Sequence, residues 1–188
     1  MFKELLSKIG ACLKKYDLPY MIIGGQAVLL YGEPRLTRDI DVTLGAGIEN
    51  LSKVVSITKE LSLKPIPENI ESFVKETMVL PAINEDTGIR VDFIFSFTPY
   101  EAEAIKRARK IDILGTEVFF AAPEDLIIHK IFAGRARDVE DLKSVLIKNP
   151  AIDVKYIESW LKKFDESESA SSLLETFDGI LKEIRQSD

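Results

Sequence analysis

Residues 20–44 have the sequence YMIIGGQAVLLYGEPRLTRDIDVTL, and they carry the clearest signals of secondary structure in the chain. Its first four residues form a wholly apolar run, which is typical of a strand buried on both faces. Gly24 and Gly25 interrupt that run, and residues 26–31 are predicted to start a helix. Polar and apolar residues then alternate over 39–44, which predicts a second strand. The predicted order is therefore strand, glycine turn, helix and strand.

The second strand carries two acidic residues on one face. Asp39 and Asp41 are two positions apart, and alternate side chains of a strand point the same way. Adjacent carboxylates repel each other, so the pair requires a compensating cation, either a divalent metal or arginine. Mg²⁺ suits such a pair because it commonly binds one or two carboxylates together with substrate phosphates.

The glycine pair lies where the apolar strand gives way to the helix. Glycine lets the backbone approach a ligand closely, and the free N–H groups of a helix N-terminus suit a phosphate. Gly24 and Gly25 are therefore predicted to cradle phosphates beside Asp39 and Asp41. A phosphate cradle and a carboxylate pair are the two parts of a metal–nucleotide site.

A third carboxylate lies in a later apolar strand, RVDFIF at residues 90–95. Asp92 is costly there unless it is paired or bound to metal. If this strand neighbours the 39–44 strand, three carboxylates converge. Two metals ~3.5–4 Å apart could then activate an attacking oxygen and stabilise a leaving pyrophosphate.

Composition excludes several classes of protein. The chain has 188 residues, 46% of them hydrophobic, which excludes disorder as the main state. Its net charge of −6 excludes a protein that coats nucleic acid by bulk charge. A single cysteine, Cys12, excludes a disulfide framework and a multi-cysteine metal cluster. The chain shows neither a spanning run nor a signal peptide, so we expect a cytoplasmic protein without a membrane partner.

Periodicity and turn signals predict the other elements. Strands are predicted at 20–23, 39–44, 77–83, 89–96, 110–114 and 116–121. Helices are predicted at 2–17, 26–31, 48–61, 67–74, 99–107, 123–136, 138–148, 153–163 and 170–186, with a solvated link at 165–172. The fold class is α/β (α+β), with a mixed β-sheet of five or six strands flanked by helices and a C-terminal helical cluster. We expect one main domain over residues 1–150 and a helical appendage over 151–188, packed on the same domain.

The order Gly24-Gly25, Asp39-Ile40-Asp41 and Asp92 resembles the nucleotidyltransferase superfamily, which shares the polymerase-beta palm. That superfamily has a Gly-Gly or Gly-Ser turn, a helix, an Asp-hydrophobic-Asp strand and a third acidic residue on a later strand. The fold implied by this resemblance is the nucleotidyltransferase-like mixed sheet.

A longer string, residues 35–41, is similar to the single-domain branch that contains AbiEii-type toxins of toxin–antitoxin systems. That branch often has a Pro-Glu-Asp-Leu helix with a lysine, followed by Arg-Asp-x-x-Asp. Residues 123–126, Lys130 and residues 137–141 match these motifs.

The resemblance implies a role for each matching residue. Metal, either Mg²⁺ or Mn²⁺, would be bound by Asp39, Asp41 and Asp92, which are also the implied catalytic residues. Arg38 and Lys130 would contact the nucleotide phosphates, and Thr37 and Asp138 would lie near the site. The implied function is transfer of a nucleoside monophosphate from an NTP to a hydroxyl acceptor, such as tRNA or a protein. An antitoxin partner would follow if the protein is a toxin.

Simpler interpretations stay open. Arg35 and Arg38 could neutralise Asp39 and Asp41 in a structural ion-pair cluster, and Lys130 could be an ordinary solvated lysine. Basic residues at 106–110 could favour a helix C-terminus or hold a polynucleotide. At the level of function, the alternatives are a non-catalytic nucleotide-binding module and a protein-interaction module on the same fold.

Overall fold

A computed structural model describes residues 1–96, 98–167 and 172–187 of the chain. The strands in these residues are β1 (Tyr20–Ile23), β2 (Asp39–Leu44), β3 (Lys64–Pro65), β4 (Val79–Ile83), β5 (Arg90–Phe95), β6 (Arg109–Ile113) and β7 (Thr116–Phe120). The α-helices are α1 (Phe2–Lys15), α2 (Gly24–Tyr31), α3 (Leu51–Glu60), α4 (Ile70–Thr77), α5 (Pro99–Arg107), α6 (Pro123–Ala133), α7 (Ala136–Lys148), α8 (Val154–Ser167) and α9 (Leu173–Ser187).

The strands form one mixed sheet in the order β3-β4-β5-β2-β1-β7-β6. β2 lies between β1, to which it is antiparallel, and β5, to which it is parallel. The parallel pairing brings together two strands that are far apart in sequence. It is the pairing on which convergence of the three predicted carboxylates depends.

β2 and β5 each have one apolar face and one polar face. The apolar face consists of six buried side chains: Ile40, Val42, Leu44, Val91, Phe93 and Phe95. Asp39 and Asp41 lie on the other face of β2, and Arg90 and Asp92 lie on the same face of β5. Burial of one face fixes the register, because a slip of one residue would exchange the two faces.

The described chain forms two compact units. The first consists of Met1–Gln26 and Leu36–Ala121, and it contains the whole sheet. The second consists of Ala27–Arg35 and Ala122–Asp188, and it contains α6 to α9. The predicted domain boundary at residue 150 stays a prediction, because a division into compact units does not show whether either unit folds as an independent domain.

The sheet is mixed and flanked by helices, as predicted, but the strand count differs. The described residues contain seven strands rather than five or six. The additional strand is β3, a two-residue edge strand in a segment for which the sequence pattern predicts neither a strand nor a helix. Proline is tolerated on a sheet edge, where its missing N–H costs no ladder hydrogen bond.

Several helix boundaries also differ from the sequence prediction, among them the starts of α2, α4 and α7. α2 begins at Gly24 rather than residue 26, with Gly24 in the left-handed region at φ +62°. α4 begins at Ile70 rather than residue 67, because Asn69 caps it by accepting a hydrogen bond from the Ser72 backbone N–H at 3.1 Å. α7 begins at Ala136, two residues before the predicted start.

The predicted link at 165–172 is only partly described. Asp165 to Ser167 are helical, as the end of α8, and residues 168–171 lie outside the described residues. The Asp165 carboxylate accepts hydrogen bonds from the backbone N–H groups of Leu173 and Leu174, at 2.9 and 3.0 Å. This acidic residue therefore caps the start of α9.

Candidate active site

Four charged side chains form a two-by-two arrangement on the polar face of β2 and β5. Asp39 is in register with Arg90, and Asp41 is in register with Asp92. We call Asp39, Asp41, Arg90 and Asp92 the acidic grid. β5 pairs with β2, which meets the condition for convergence of the carboxylates, so Asp39, Asp41 and Asp92 share one face of adjacent parallel strands.

The backbone of Gly24 lies directly against the Asp41 carboxylate. A Cβ atom built on Gly24 would collide with Oδ2 of Asp41. The positive φ of +62° also favours glycine at this position. The predicted glycine turn thus brings the start of α2 into contact with one of the predicted metal ligands.

Two side chains form hydrogen bonds to the backbone of Asp39, at the start of β2. The side-chain amide of Gln26 and the hydroxyl of Thr37 each donate to the carbonyl oxygen of Asp39, at 3.4 Å in both cases. The role of Thr37 near a nucleotide stays a prediction. Arg38 is exposed and forms no ion pair within the described part of the chain.

The cation of the grid is Arg90, which the sequence prediction missed. Its Nε–H donates to Oδ1 of Asp92 at 2.7 Å, with 48% of the Arg90 side chain and 18% of the Asp92 side chain exposed. The hydrogen bond to Asp92 raises the pKa of Arg90, and the charges of Asp39 and Asp41 raise it further. All three carboxylates therefore act on one guanidinium.

The donors of the grid suit a hard divalent cation, because they are carboxylate oxygens. No group of three or more histidine, cysteine, aspartate or glutamate side chains in the described residues is gathered closely enough to hold a metal ion. Mg²⁺ commonly takes one or two carboxylates and completes its shell with water and substrate phosphates. Asp41 and Asp92 supply such a pair, whereas a three-carboxylate metal site stays a prediction.

A second charged cluster lies in the other compact unit, between α6 and α7. The Lys130 ammonium donates to Asp138 at 2.5 Å and to Asp141 at 2.8 Å. Arg135 donates to Asp138 at 2.7 Å, and Arg35 makes two hydrogen bonds to Asp141 at 2.7 and 2.9 Å. We call these five residues the lysine network.

The lysine network excludes one of the simpler interpretations. Lys130 is only 7% exposed, so it is not a solvated lysine. Arg35 makes a two-pronged ion pair with Asp141, so it compensates a carboxylate outside the acidic grid. Burial works against ionisation of Asp138, but hydrogen bonds from Lys130 and Arg135 prevail and lower the pKa of Asp138. The phosphate contacts of Lys130 and Arg38 stay predictions.

Other polar residues singled out in the sequence have structural surroundings. Burial raises the pKa of the Cys12 thiol to about 11, which leaves it protonated and unreactive. Lys106 lies in the last turn of α5, where the helix dipole favours it, and Lys110 pairs with Glu117 at 3.2 Å. These contacts agree with the structural interpretation of residues 106–110.

The missed residues carried signals of different strength. Arg90 precedes Asp92 by two positions in a strand, so the same period of two that grouped Asp39 with Asp41 would have found it. Asp141 follows Asp138 by three positions, which places both on one helix face. Their joint contact with Lys130 depends on how α6 packs on α7, which no local pattern reports.

The sheet order, the glycine turn and the Asp-x-Asp strand together define a nucleotidyltransferase fold. The sequence also matches the model of the family described as nucleotidyltransferase of unknown function (DUF6036), over residues 1–178. The chain therefore belongs to this family. No match was found among curated protein sequences.

Solved structures with the same fold include three nucleotidyltransferases or nucleotidyltransferase-like proteins. The antibiotic-resistance factor ANT(2'')-Ia is 20% identical with a TM-score of 0.63, and the match covers 89% of this chain and 93% of that one. An antigenic nucleotidyltransferase-like protein from Paracoccidioides brasiliensis is 15% identical with a TM-score of 0.56, and the match covers 92% of this chain and 91% of that one. A putative nucleotidyltransferase from Thermotoga maritima is 20% identical with a TM-score of 0.53, and the match covers 77% of this chain and 92% of that one. At these identities the similarity establishes the fold.

Proposed function

We propose that this protein is a metal-dependent nucleotidyltransferase that moves a nucleoside monophosphate from an NTP to a hydroxyl acceptor. The observation that carries the proposal is the in-register pair of Asp41 and Asp92, with Asp39 on the same face and the Gly24 backbone against Asp41. A structural ion pair alone would not require a glycine backbone beside the carboxylate. A phosphate-bearing ligand would use both features.

Each group has an assigned part in the transfer. Asp39, Asp41 and Asp92 would hold Mg²⁺ or Mn²⁺. When bound, the metal would offset phosphate charge and activate the attacking oxygen. The N–H groups of Gly24 and Gly25, at the start of α2, would orient the phosphates.

The transfer itself exchanges one bond for another at phosphorus. The acceptor hydroxyl oxygen forms a bond to the α-phosphorus of the NTP, the bond from that phosphorus to the bridging oxygen breaks, and pyrophosphate leaves. The hydroxyl proton passes to the Asp92 carboxylate, which we assign as the general base. Most of the rate enhancement would come from positioning and charge compensation, since phosphoryl-type transfers need little else from the protein.

Nucleotide binding is the first test. We expect the melting temperature to rise with at least one of the four NTPs in Mg²⁺, and not in EDTA. A ligand at 100 times its Kd stabilises by ~2.7 kcal/mol, which a thermal shift resolves. The Asp39→Asn/Asp41→Asn variant should lose the shift, whereas Asp86→Asn, an exposed carboxylate in the β4–β5 turn, should keep it.

Catalysis is the second test. Asp92→Asn should abolish release of pyrophosphate and transfer of label from an α-³²P-labelled NTP, with the fold intact by circular dichroism. Full activity of the triple variant at Asp39, Asp41 and Asp92 would end the proposal. The acceptor screen should include RNA, protein and small molecules, because ANT(2'')-Ia has been solved in complex with a small molecule, adenylyl-2''-tobramycin.

The similarity of residues 35–41 to the AbiEii-type branch extends the proposal to a toxin with an antitoxin partner. A neighbouring gene for a small DNA-binding protein would support this role, and co-purification of the two products would test it. We place the proposed reaction in the cytoplasm, where NTPs are available. No helix in the described residues combines the length and apolar composition that crossing a bilayer requires.

A specific observation favours a second candidate, a non-catalytic nucleotide-binding module. Arg90 already compensates the charge of Asp92 without a metal. This candidate predicts NTP binding without pyrophosphate release, and a nucleotide shift that survives Asp92→Asn. The two tests above therefore separate it from the transferase.

A further inference from the structure

Arg90 has the position of a counter-ion within the acidic grid. It is the in-register neighbour of Asp39, and it is hydrogen-bonded to Asp92 two residues along the same strand. Asp41 is the in-register neighbour of Asp92. One guanidinium therefore serves three carboxylates, which leaves the grid with a net charge of −2.

The strands on either side of the grid supply no further charge. Ile23 of β1 is in register with Asp41, and Pro81 and Ile83 of β4 are in register with Asp92 and Arg90. These three neighbours are apolar. Within the described residues of the four central strands, the charge of Asp92 is met by Arg90 across a 2.7 Å hydrogen bond.

We propose that Arg90 is the resident counter-ion of the acidic grid and competes with a divalent metal for the Asp92 carboxylate. This inference rests on the proposed function, because it concerns the same metal site. A metal that binds through Asp92 must displace the guanidinium from Oδ1. Arg90 therefore lowers the affinity of the nucleotide-free site for metal and stabilises the metal-free protein against repulsion among its three carboxylates.

The displaced guanidinium has an obvious second partner in the same reaction. Its planar set of N–H donors matches a phosphate as well as a carboxylate. An NTP that arrives with its metal would exchange the Arg90–Asp92 ion pair for a metal–Asp92 contact and an Arg90–phosphate contact. Metal and nucleotide should therefore bind cooperatively, and Arg90 would be the residue that couples them.

The test measures Mn²⁺ binding to the nucleotide-free protein by electron paramagnetic resonance, which detects free Mn²⁺. We expect Arg90→Gln to lower the Kd for Mn²⁺ about tenfold, equivalent to ~1.4 kcal/mol. Arg90→Lys keeps the charge but lacks the Nε–H donor, and should lower the Kd by a smaller factor. Arg185→Gln, which removes an exposed arginine from α9, is the matched control and should leave the Kd unchanged.

A second readout needs no metal. In EDTA, Arg90→Gln should melt at a lower temperature than the wild type, because the three carboxylates lose their counter-ion. Adding Asp92→Asn to that variant should restore part of the loss. Should Arg90→Gln not fold, Arg90→Lys carries the Mn²⁺ test, and an unchanged Kd in that variant overturns the inference.

The outcomes separate this inference from the proposed function. If the wild type binds Mn²⁺ with NTP, but Arg90→Gln changes neither the nucleotide-free Kd nor the metal-free melting temperature, the counter-ion role is wrong and the transferase proposal stands. If neither protein binds Mn²⁺ with or without any NTP, both proposals fail.

Discussion

At the scale of single residues, Gly24 shows how a missing side chain can create a site. The Asp41 carboxylate occupies the space where any other residue would place its Cβ. Gly24 also adopts a left-handed conformation. Two independent constraints, one steric and one conformational, therefore act on the same residue.

Substitution of Gly24 can separate these constraints. Gly24→Ala should destabilise the protein by ~1–2 kcal/mol for its left-handed backbone, and further for the collision with Asp41. Gly88→Ala is the matched control, since Gly88 has φ +69° and open space where its Cβ would lie. Urea denaturation of the two variants checks the prediction.

The same pair of variants bears on function. Gly24→Ala should also lose the Mg²⁺-dependent NTP shift, whereas Gly88→Ala should keep it. Equal losses of stability in the two variants would mean that the chain relaxes around Asp41. The close contact between Gly24 and Asp41 would then contribute nothing to the difference in the free energy of unfolding.

At the scale of elements, α6 and α7 are joined by buried charges. Lys130 of α6 bonds to Asp138 and Asp141 of α7, and all three residues are buried. Such a cluster is poor evidence of net stability, because desolvation offsets the attraction. Removal of one partner is costly, however, because it leaves unpaired charges in the interior.

Lys130→Met should therefore destabilise the protein by ~3–5 kcal/mol. Adding Asp138→Asn should recover part of this loss, because one of the stranded carboxylates is then neutral. Lys143→Met is the matched control: its ion pair with Glu183 is 2.6 Å long but exposed on both sides, so the loss should stay within ~1 kcal/mol. Equal losses for the two lysines in urea denaturation would contradict the buried network.

At the scale of the whole molecule, stability depends on pH through groups that burial perturbs. Burial lowers the pKa of His129, on α6, from 6.5 to about 4. His129 keeps a small exposed fraction, but its Nε2 is enclosed, and we attribute the pKa shift to that enclosure. The folded protein therefore keeps His129 neutral at pH values where the unfolded chain protonates it.

The direction of the pH effect follows. Between about pH 6.5 and about pH 4 the unfolded state binds the extra proton, so the free energy of unfolding falls as the pH falls. The contribution is fully present above pH 6.5, and its slope is at most ~1.4 kcal/mol per pH unit. Asp138 affects stability at lower pH than His129. Because its pKa is lowered in the folded protein, its contribution to the free energy of unfolding is lost only as the pH falls below the ordinary value of 3.8.

His129→Gln should reduce the dependence of the free energy of unfolding on pH. Urea denaturation of the variant and the wild type at several pH values between about 4 and about 6.5 measures this dependence. The two curves should converge toward the lower end of the window, since the variant has no group to protonate. Parallel curves would show that His129 titrates normally in the folded protein.

Features that depend on residues close together along the chain could be predicted from the sequence alone. A period of two placed Asp39 with Asp41, an apolar run identified β1, and the glycine pair marked the end of that strand, although α2 begins at Gly24 rather than at residue 26. The nucleotidyltransferase fold was implied by the resemblance of these pieces, in their order and spacing, to that superfamily. Element boundaries were less certain, because caps such as Asn69 and Asp165 act through single hydrogen bonds.

The pairing of charges that are distant in sequence could not be predicted in this way, because it depends on how the elements pack. Asp92 neighbours Asp41 because β5 pairs with β2, although they are 51 positions apart (92 − 41). Lys130 meets Asp138 and Asp141 because α6 packs on α7, and Arg35 reaches Asp141 across more than one hundred residues of chain. Local sequence rules describe neighbours along one strand or helix, whereas the partner of a charge is set by which elements pack together to bury their apolar faces.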